Sequence, residues 1–324
     1  MRIYIKGILL LMTVVVCAAI CGSSVQAQDA HFSQFYANPI YLNPAFAGSS
    51  ICPRVHLNYR NQWGAISGDF VTYSASYDQF VQVLQGGVGL RFLHDRAGQA
   101  TYSVTQVGFD YAYHQRIANR WTLNFGVEVQ YHQRKLDWSK LLFGDQIDNK
   151  KGFILPTQEQ EPVTTKGVVD FSSGLLVHNK HAFFGVAVNH LTEPDESIIK
   201  PESPLPMKFT AHAGLNFYQS HSTDVMLSPN VLYQQQGDFK ELNVGVYTSK
   251  GPLVAGLWTR LLERDAVILV LGIKGDMVRV GYSYDVTISK LSPITGGSHE
   301  FSMAFQFDCK PKKPKLRPIF CPSF

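Results

Sequence analysis

After its first twenty or so residues this chain has no apolar run long enough to cross a bilayer as a helix. The longest strongly apolar stretch, Ala266–Ile273, has the length of a strand. Charge is also scarce. Charged residues make up 17% of the 324, the formal net charge is +4, and losing Arg2 and Lys6 with an N-terminal leader leaves +2. That balance is too weak for a nucleic-acid binder. Of the five cysteines, Cys17 and Cys21 lie near the N-terminus, and Cys52, Cys309 and Cys321 form neither a CxxC pair nor a zinc spacing with histidines. The eleven histidines are scattered, and His178 and His181 flank an expected turn. Neither a G-x-S-x-G nor an H-E-x-x-H word occurs. No catalytic, cofactor-binding or metal-ligating residue is therefore assigned. A barrel hydrolase with Ser and His on separate strands stays open as a lesser alternative.

What is present begins with a leader. Met1–Lys6 carries two cations, Gly7–Ile20 is apolar, and Val25-Gln26-Ala27 is a small-x-small cleavage site. Residues 1–27 read as a secretory signal peptide, with Gln28 as the mature start. Bulky Val16 and Ile20 before Cys17 and Cys21 argue against lipoprotein processing. A bilayer is crossed by helices or by closed barrels only, so a membrane role requires a barrel.

Alternation is the dominant periodicity. Trp121, Leu123, Phe125, Val127, Val129 and Tyr131 share one parity, and Thr122, Asn124, Gly126, Glu128, Gln130 and His132 the other. In a strand these are opposite faces, and this strand has membrane-spanning length. Val107–His114, Met207–Phe217, Val278–Asp285 and Phe301–Asp308 repeat the pattern. Ionisable residues are costly toward lipid, so the polar faces are expected to point inward. Fourteen strands are expected, near 53–62, 68–80, 86–95, 101–115, 120–135, 166–178, 181–190, 207–218, 223–235, 240–249, 252–261, 265–273, 276–287 and 298–307. Segments 181–190 and 265–273 alternate poorly. The fold class is an all-β transmembrane antiparallel barrel over 53–307, with aromatic residues for the interfaces. Its long loops, 137–165 and 192–206, are expected outside the cell, as a surface for partners or as unconstrained loops.

Both ends stand apart. His31–Ser50 holds Asn38-Pro39 and Asn43-Pro44 among Phe32, Phe35, Tyr36, Tyr41 and Phe46. Pro excludes a long helix or an inner strand there. So many aromatics are costly to solvate, and residues 28–52 are expected to pack at the periplasmic mouth or in the lumen. Residues 308–324 form a Pro-rich basic tail, expected in the periplasm, with Lys310, Lys312, Lys313, Lys315 and Arg317 as candidate partner-binding residues. Cys309 and Cys321 are close in sequence and are expected to pair in an oxidising compartment.

The N-terminal run, with His31, Phe32, Ser33, Gln34, Asn38, Pro39, Asn43, Pro44 and Gly48, followed by Arg60, Gln62 and Trp63, resembles the signature of the PorP/SprF family of outer-membrane proteins. Gly86-Gly87-Val88-Gly89, Gly281–Asp285, Gly296–Glu300 and Cys321–Phe324 resemble further words of that family. In GAISGDFVT after Trp63 this chain departs from the Pro- and Gly-containing turn common there. The resemblance implies a non-enzymatic integral outer-membrane component of type IX secretion and gliding. Such a protein associates with periplasmic ring proteins or retains a secreted surface adhesin. A diffusion porin or ligand transporter is the alternative.

Overall fold

The computed structural model describes residues 29–50, 52–65, 68, 70–99, 101–117, 121–148, 150, 152–161, 163–198, 203–218, 225–262, 266–288 and 296–309. Fourteen strands form the wall: β1 (Arg54–Gln62), β2 (Phe70–Val81), β3 (Gly86–Ala97), β4 (Tyr102–Arg116), β5 (Thr122–Leu136), β6 (Thr165–His178), β7 (Ala182–Asn189), β8 (Lys208–Leu215), β9 (Val225–Gln236), β10 (Phe239–Lys250), β11 (Leu253–Arg260), β12 (Ala266–Lys274), β13 (Val278–Thr287) and β14 (Ser298–Gln306). β8 breaks at Asn216 and resumes at Phe217–Tyr218. Each strand pairs antiparallel with its sequence neighbours, and β14 returns to β1 in a register that sets Arg54 opposite Gln306 and Gln62 opposite Ser298. The sheet closes on itself and leaves no long edge to aggregate. All fourteen expected strands are found. No helix among the described residues is long and apolar enough to cross a membrane.

Burial follows parity. On β5, Glu128, Gln130 and His132 are buried, while Val127, Val129 and Tyr131 are exposed on the outer face. The barrel has an apolar exterior and a largely polar interior, the pattern of a membrane-spanning barrel. β7 and β12 alternate poorly for a physical reason. Phe183, Ile268 and Val270 point inward, yet they are buried in an apolar cluster with Leu176, Leu232, Tyr247 and Trp258. One sector of the lumen is thus apolar because it faces an aromatic occupant, residues 29–50.

Strand direction defines two ends. The turn end holds residues 53 and 307 and the connections β2–β3, β4–β5, β6–β7, β8–β9, β10–β11 and β12–β13. The loop end holds the two long connections, 137–164 and 190–207. These two loops differ. In the first, Ile147–Asp148 and Gly152–Phe153 form a small antiparallel ladder, and Leu142, Phe153, Ile154 and Leu155 are exposed. The second turns inward, burying Glu196 and Leu205.

Candidate functional site

The segment inside the barrel is built from three short turns: Phe35–Ala37, Pro39–Leu42 and Pro44–Phe46. Pro39 and Pro44 each open a turn, where the missing N–H costs nothing. The Asn43 side chain caps the third turn, accepting from the Ala45 N–H at 2.9 Å. Two Asn-Pro steps therefore divide a compact thread into short helical turns.

This thread runs the length of the lumen. At the loop end the Asp29 N–H donates to Gln236 Oε1 at 3.0 Å, and its carboxylate meets His190 Nε2 at 2.8 Å and Lys208 Nζ at 3.6 Å. At mid-depth Asn38 donates to Ser74 Oγ at 2.8 Å, and Asn43 donates to the Leu175 and Val186 carbonyls at 3.1 Å. At the turn end His114 contacts the Ala47 carbonyl at 2.9 Å, and the Gly48 N–H donates to Asp78 at 2.9 Å. The thread needs close approach to the wall. A Cβ on Gly87 would overlap the Ala47 carbonyl, and one on Gly126 would overlap the Pro44–Ala45 backbone.

Aromatic and ionic contacts fix it. Phe35 meets Trp258 edge-on at 5.0 Å, Tyr36 meets Phe183 at 5.5 Å, and Phe46 stacks on His212 at 5.4 Å. Arg60, fully buried, pairs with Asp285 at 2.9 Å and Glu300 at 3.2 Å. Ser33 and Gln34 complete that network. The Ser33 N–H donates to Glu300 at 2.6 Å, the Ser33 hydroxyl donates to Asp285 at 2.5 Å, and the Gln34 amide donates to the Glu300 carbonyl at 3.0 Å. A buried charge cluster needs hydrogen bonds beyond its ion pairs, and the thread supplies several of them, leaving Arg60 Nε and Asp285 Oδ1 without a hydrogen-bond partner among the described residues.

The loop-end mouth carries a second cluster. His190 stands between Asp29 and Asp170, its Nδ1 2.6 Å from Asp170, with a backbone φ of 59°. Burial would lower the pKa of this imidazole, but Asp29 and Asp170 raise it to about 10. Burial likewise opposes ionisation of Asp29, but His190 and Lys208 hold its carboxyl well below the usual range. Nearby, Glu196 pairs with Arg134 and lies 3.1 Å from His132 Nδ1. Its burial outweighs Arg134 and pushes its carboxyl up to about 7.

The structure brings His31, Phe32, Ser33, Gln34, Asn38, Pro39, Asn43, Pro44, Gly48 and Arg60 into one lumenal assembly. Gln62 and Trp63 stand apart on the loop-end rim, where the Trp63 N–H donates to the Gly297 carbonyl at 2.9 Å. Asp285 and Glu300 close two of the family-like words, but no word marks their role in the lumen, and Asp78 and His190 lie in no word at all. Their signal is an ionisable residue of inward parity. The expected Cys309–Cys321 bond is corrected: Cys309 is bonded to Cys52, with Cα atoms 5.5 Å apart. The reason is topological. β1 and β14 are neighbours, and their register brings the chain just before β1, at Cys52, to the chain just after β14, at Cys309. Cys321 and the tail residues Lys310, Lys312, Lys313, Lys315 and Arg317 lie outside the described residues. No group of three or more His, Cys, Asp or Glu among the described residues is placed to hold a metal.

The family described as type IX secretion system membrane protein PorP/SprF matches residues 24–305, and the chain belongs to that family. No curated protein matches it. Solved structures similar in fold include the Ralstonia pickettii toluene transporter TbuX, at 10% identity and a TM-score of 0.49, covering 82% of this chain and 92% of that one. A Pseudomonas aeruginosa FadL homologue has 11% identity and a TM-score of 0.45, covering 82% and 92%. The P. putida toluene transporter TodX has 9% identity and a TM-score of 0.45, covering 83% and 93%.

Proposed function

We propose that this PorP/SprF chain is a sealed, non-enzymatic anchor of the type IX secretion and gliding machinery, working through the two mouths of its barrel. The observation that carries this reading is the thread of residues 29–50. It occupies the lumen from end to end, with Phe35, Tyr36, Ile40, Ala45 and Phe46 almost wholly buried. A barrel so filled is poorly suited to diffusion and leaves its ends as the working surfaces. Long loops of outer-membrane barrels face outward, which assigns the loop end to the cell exterior and the turn end to the periplasm. The loop end then meets an exported surface protein. The turn end, where Cys309 leads into the basic tail, docks the periplasmic ring proteins.

Cross-linking and affinity recovery from outer membranes tests this. Recovery of ring proteins through the turn end, or of a surface adhesin through the loop end, is the expected result. Recovery of neither, together with steady ion conductance, would favour the porin or transporter alternative.

A further inference from the structure

Between the start of the thread and the loop-end portions of β3, β4 and β5 lies a part-open cavity of about 270 Å³. Its wall includes Leu93, Asp95, Tyr102, Val104, His132 and Arg134, with Asp29 and Ala30 of the thread on the opposite side. The charges around it are answered unevenly. Asp29 is met by His190 and Lys208, and Arg134 by Glu196. Among the described residues Asp95 has the Thr72 hydroxyl as its one hydrogen-bond partner, donating at 2.5 Å, and no ion-pair partner. His132 is buried; the Gln106 amide donates to its Nδ1 at 3.4 Å, with Glu196 3.1 Å away, and its Nε2 has no hydrogen-bond partner among the described residues. Arg134 Nε is also without a partner, but its guanidinium already serves Glu196 and lies over the Tyr102 ring at 5.8 Å.

We infer that this cavity is a binding site for a basic side chain, an alkylammonium or guanidinium group carried by an exported protein at the loop-end mouth. Asp95 supplies the counter-charge. Leu93 and Val104 supply apolar wall for the aliphatic stem, the arrangement a long basic side chain prefers. The volume admits one such side chain, not a folded domain. The assignment of the occupant to an exported protein rests on the proposed function; the chemistry of the cavity does not.

The test titrates detergent-purified full-length barrel with Nα-acetyl-arginine amide and Nα-acetyl-lysine amide by calorimetry. Uncharged Nα-acetyl-citrulline amide and anionic Nα-acetyl-glutamate amide serve as comparisons. Saturable binding of the two cations alone is expected, weakened about tenfold or more by Asp95→Asn, as befits loss of a charge-assisted contact. Val104→Phe, which fills the cavity without touching a charge, should abolish it while heat-modifiable migration stays intact. Equal binding of the citrulline or glutamate probe, or no effect of either substitution in a folded barrel, overturns the site. Retention of surface proteins on cells carrying Asp95→Asn is scored separately. Loss of probe binding with unchanged retention keeps the cavity's chemistry and removes its role in anchoring.

Discussion

At the residue scale the account rests on single atoms that admit or exclude the thread. Gly126 is the clearest case, because the Pro44–Ala45 backbone occupies the space a side chain would need. Gly126→Val should destabilise the barrel by ~1–3 kcal/mol or expel the thread. Both outcomes are readable as a lowered unfolding midpoint or new protease cleavage within 29–50. Unchanged stability and protection would show that the contact is not tight. The mouth cluster gives a pH dependence. His190, raised to about 10, contributes stability fully present below its ordinary pKa near 6.5 and lost as pH climbs toward 10. Asp29, held low, contributes stability present above its ordinary value near 3.8 and lost in acid below that. The fastening of Asp29 to Asp170 through His190, with Lys208 beside it, should therefore be tightest between about pH 4 and 6.5. Hydrogen exchange of residues 29–33 should quicken on going from pH 6 to pH 10 beyond the intrinsic rise. His190→Gln should remove that excess. An excess surviving in the variant would assign it to other groups.

At the element scale, the strands were legible because their parity is legible. A slip of two residues would not erase an alternation as long as that of β5. β7 and β12 were least legible, since Phe183, Ile268 and Val270 turn apolar side chains inward, and only the presence of an aromatic thread explains that choice. The thread itself was half legible. Its aromatics announce burial, but neither its path to the loop end nor its partners Arg60, Asp285 and Glu300 follow from local sequence, since those contacts span up to 267 residues. The disulfide was misread for the same reason: closeness in sequence favoured Cys321, whereas barrel closure brings Cys52 to Cys309 across 257 residues. Cys52→Ser should loosen the β1–β14 seam. The loop-entropy model puts the loss at roughly 5 kcal/mol in the unfolded-state reference. Comparing denaturant midpoints of oxidised wild type and variant checks it, and coincident midpoints would remove the bond from the stability account. Single cysteines placed at exposed Leu142 or Phe153 should react with an impermeant maleimide on intact cells. Protection of both would reverse the assignment of the loop end to the exterior.

At the scale of the whole molecule, a closed fourteen-strand wall, an apolar exterior and a lumen threaded end to end describe a barrel whose interior is spent on its own N-terminal segment. The inward arginines that resemble a channel lining are engaged in ion pairs: Arg54 with Asp78, Arg60 with Asp285 and Glu300, Arg91 with Glu128. Engagement of this kind rigidifies a lumen instead of hydrating it. The most direct test of that claim is planar-bilayer conductance of the purified full-length barrel, with a variant lacking residues 29–50 in the same apparatus. The account predicts no steady channel from the intact chain and open, ion-conducting steps from the deletion. Steady conductance by the intact barrel, unaltered by the deletion, would contradict it.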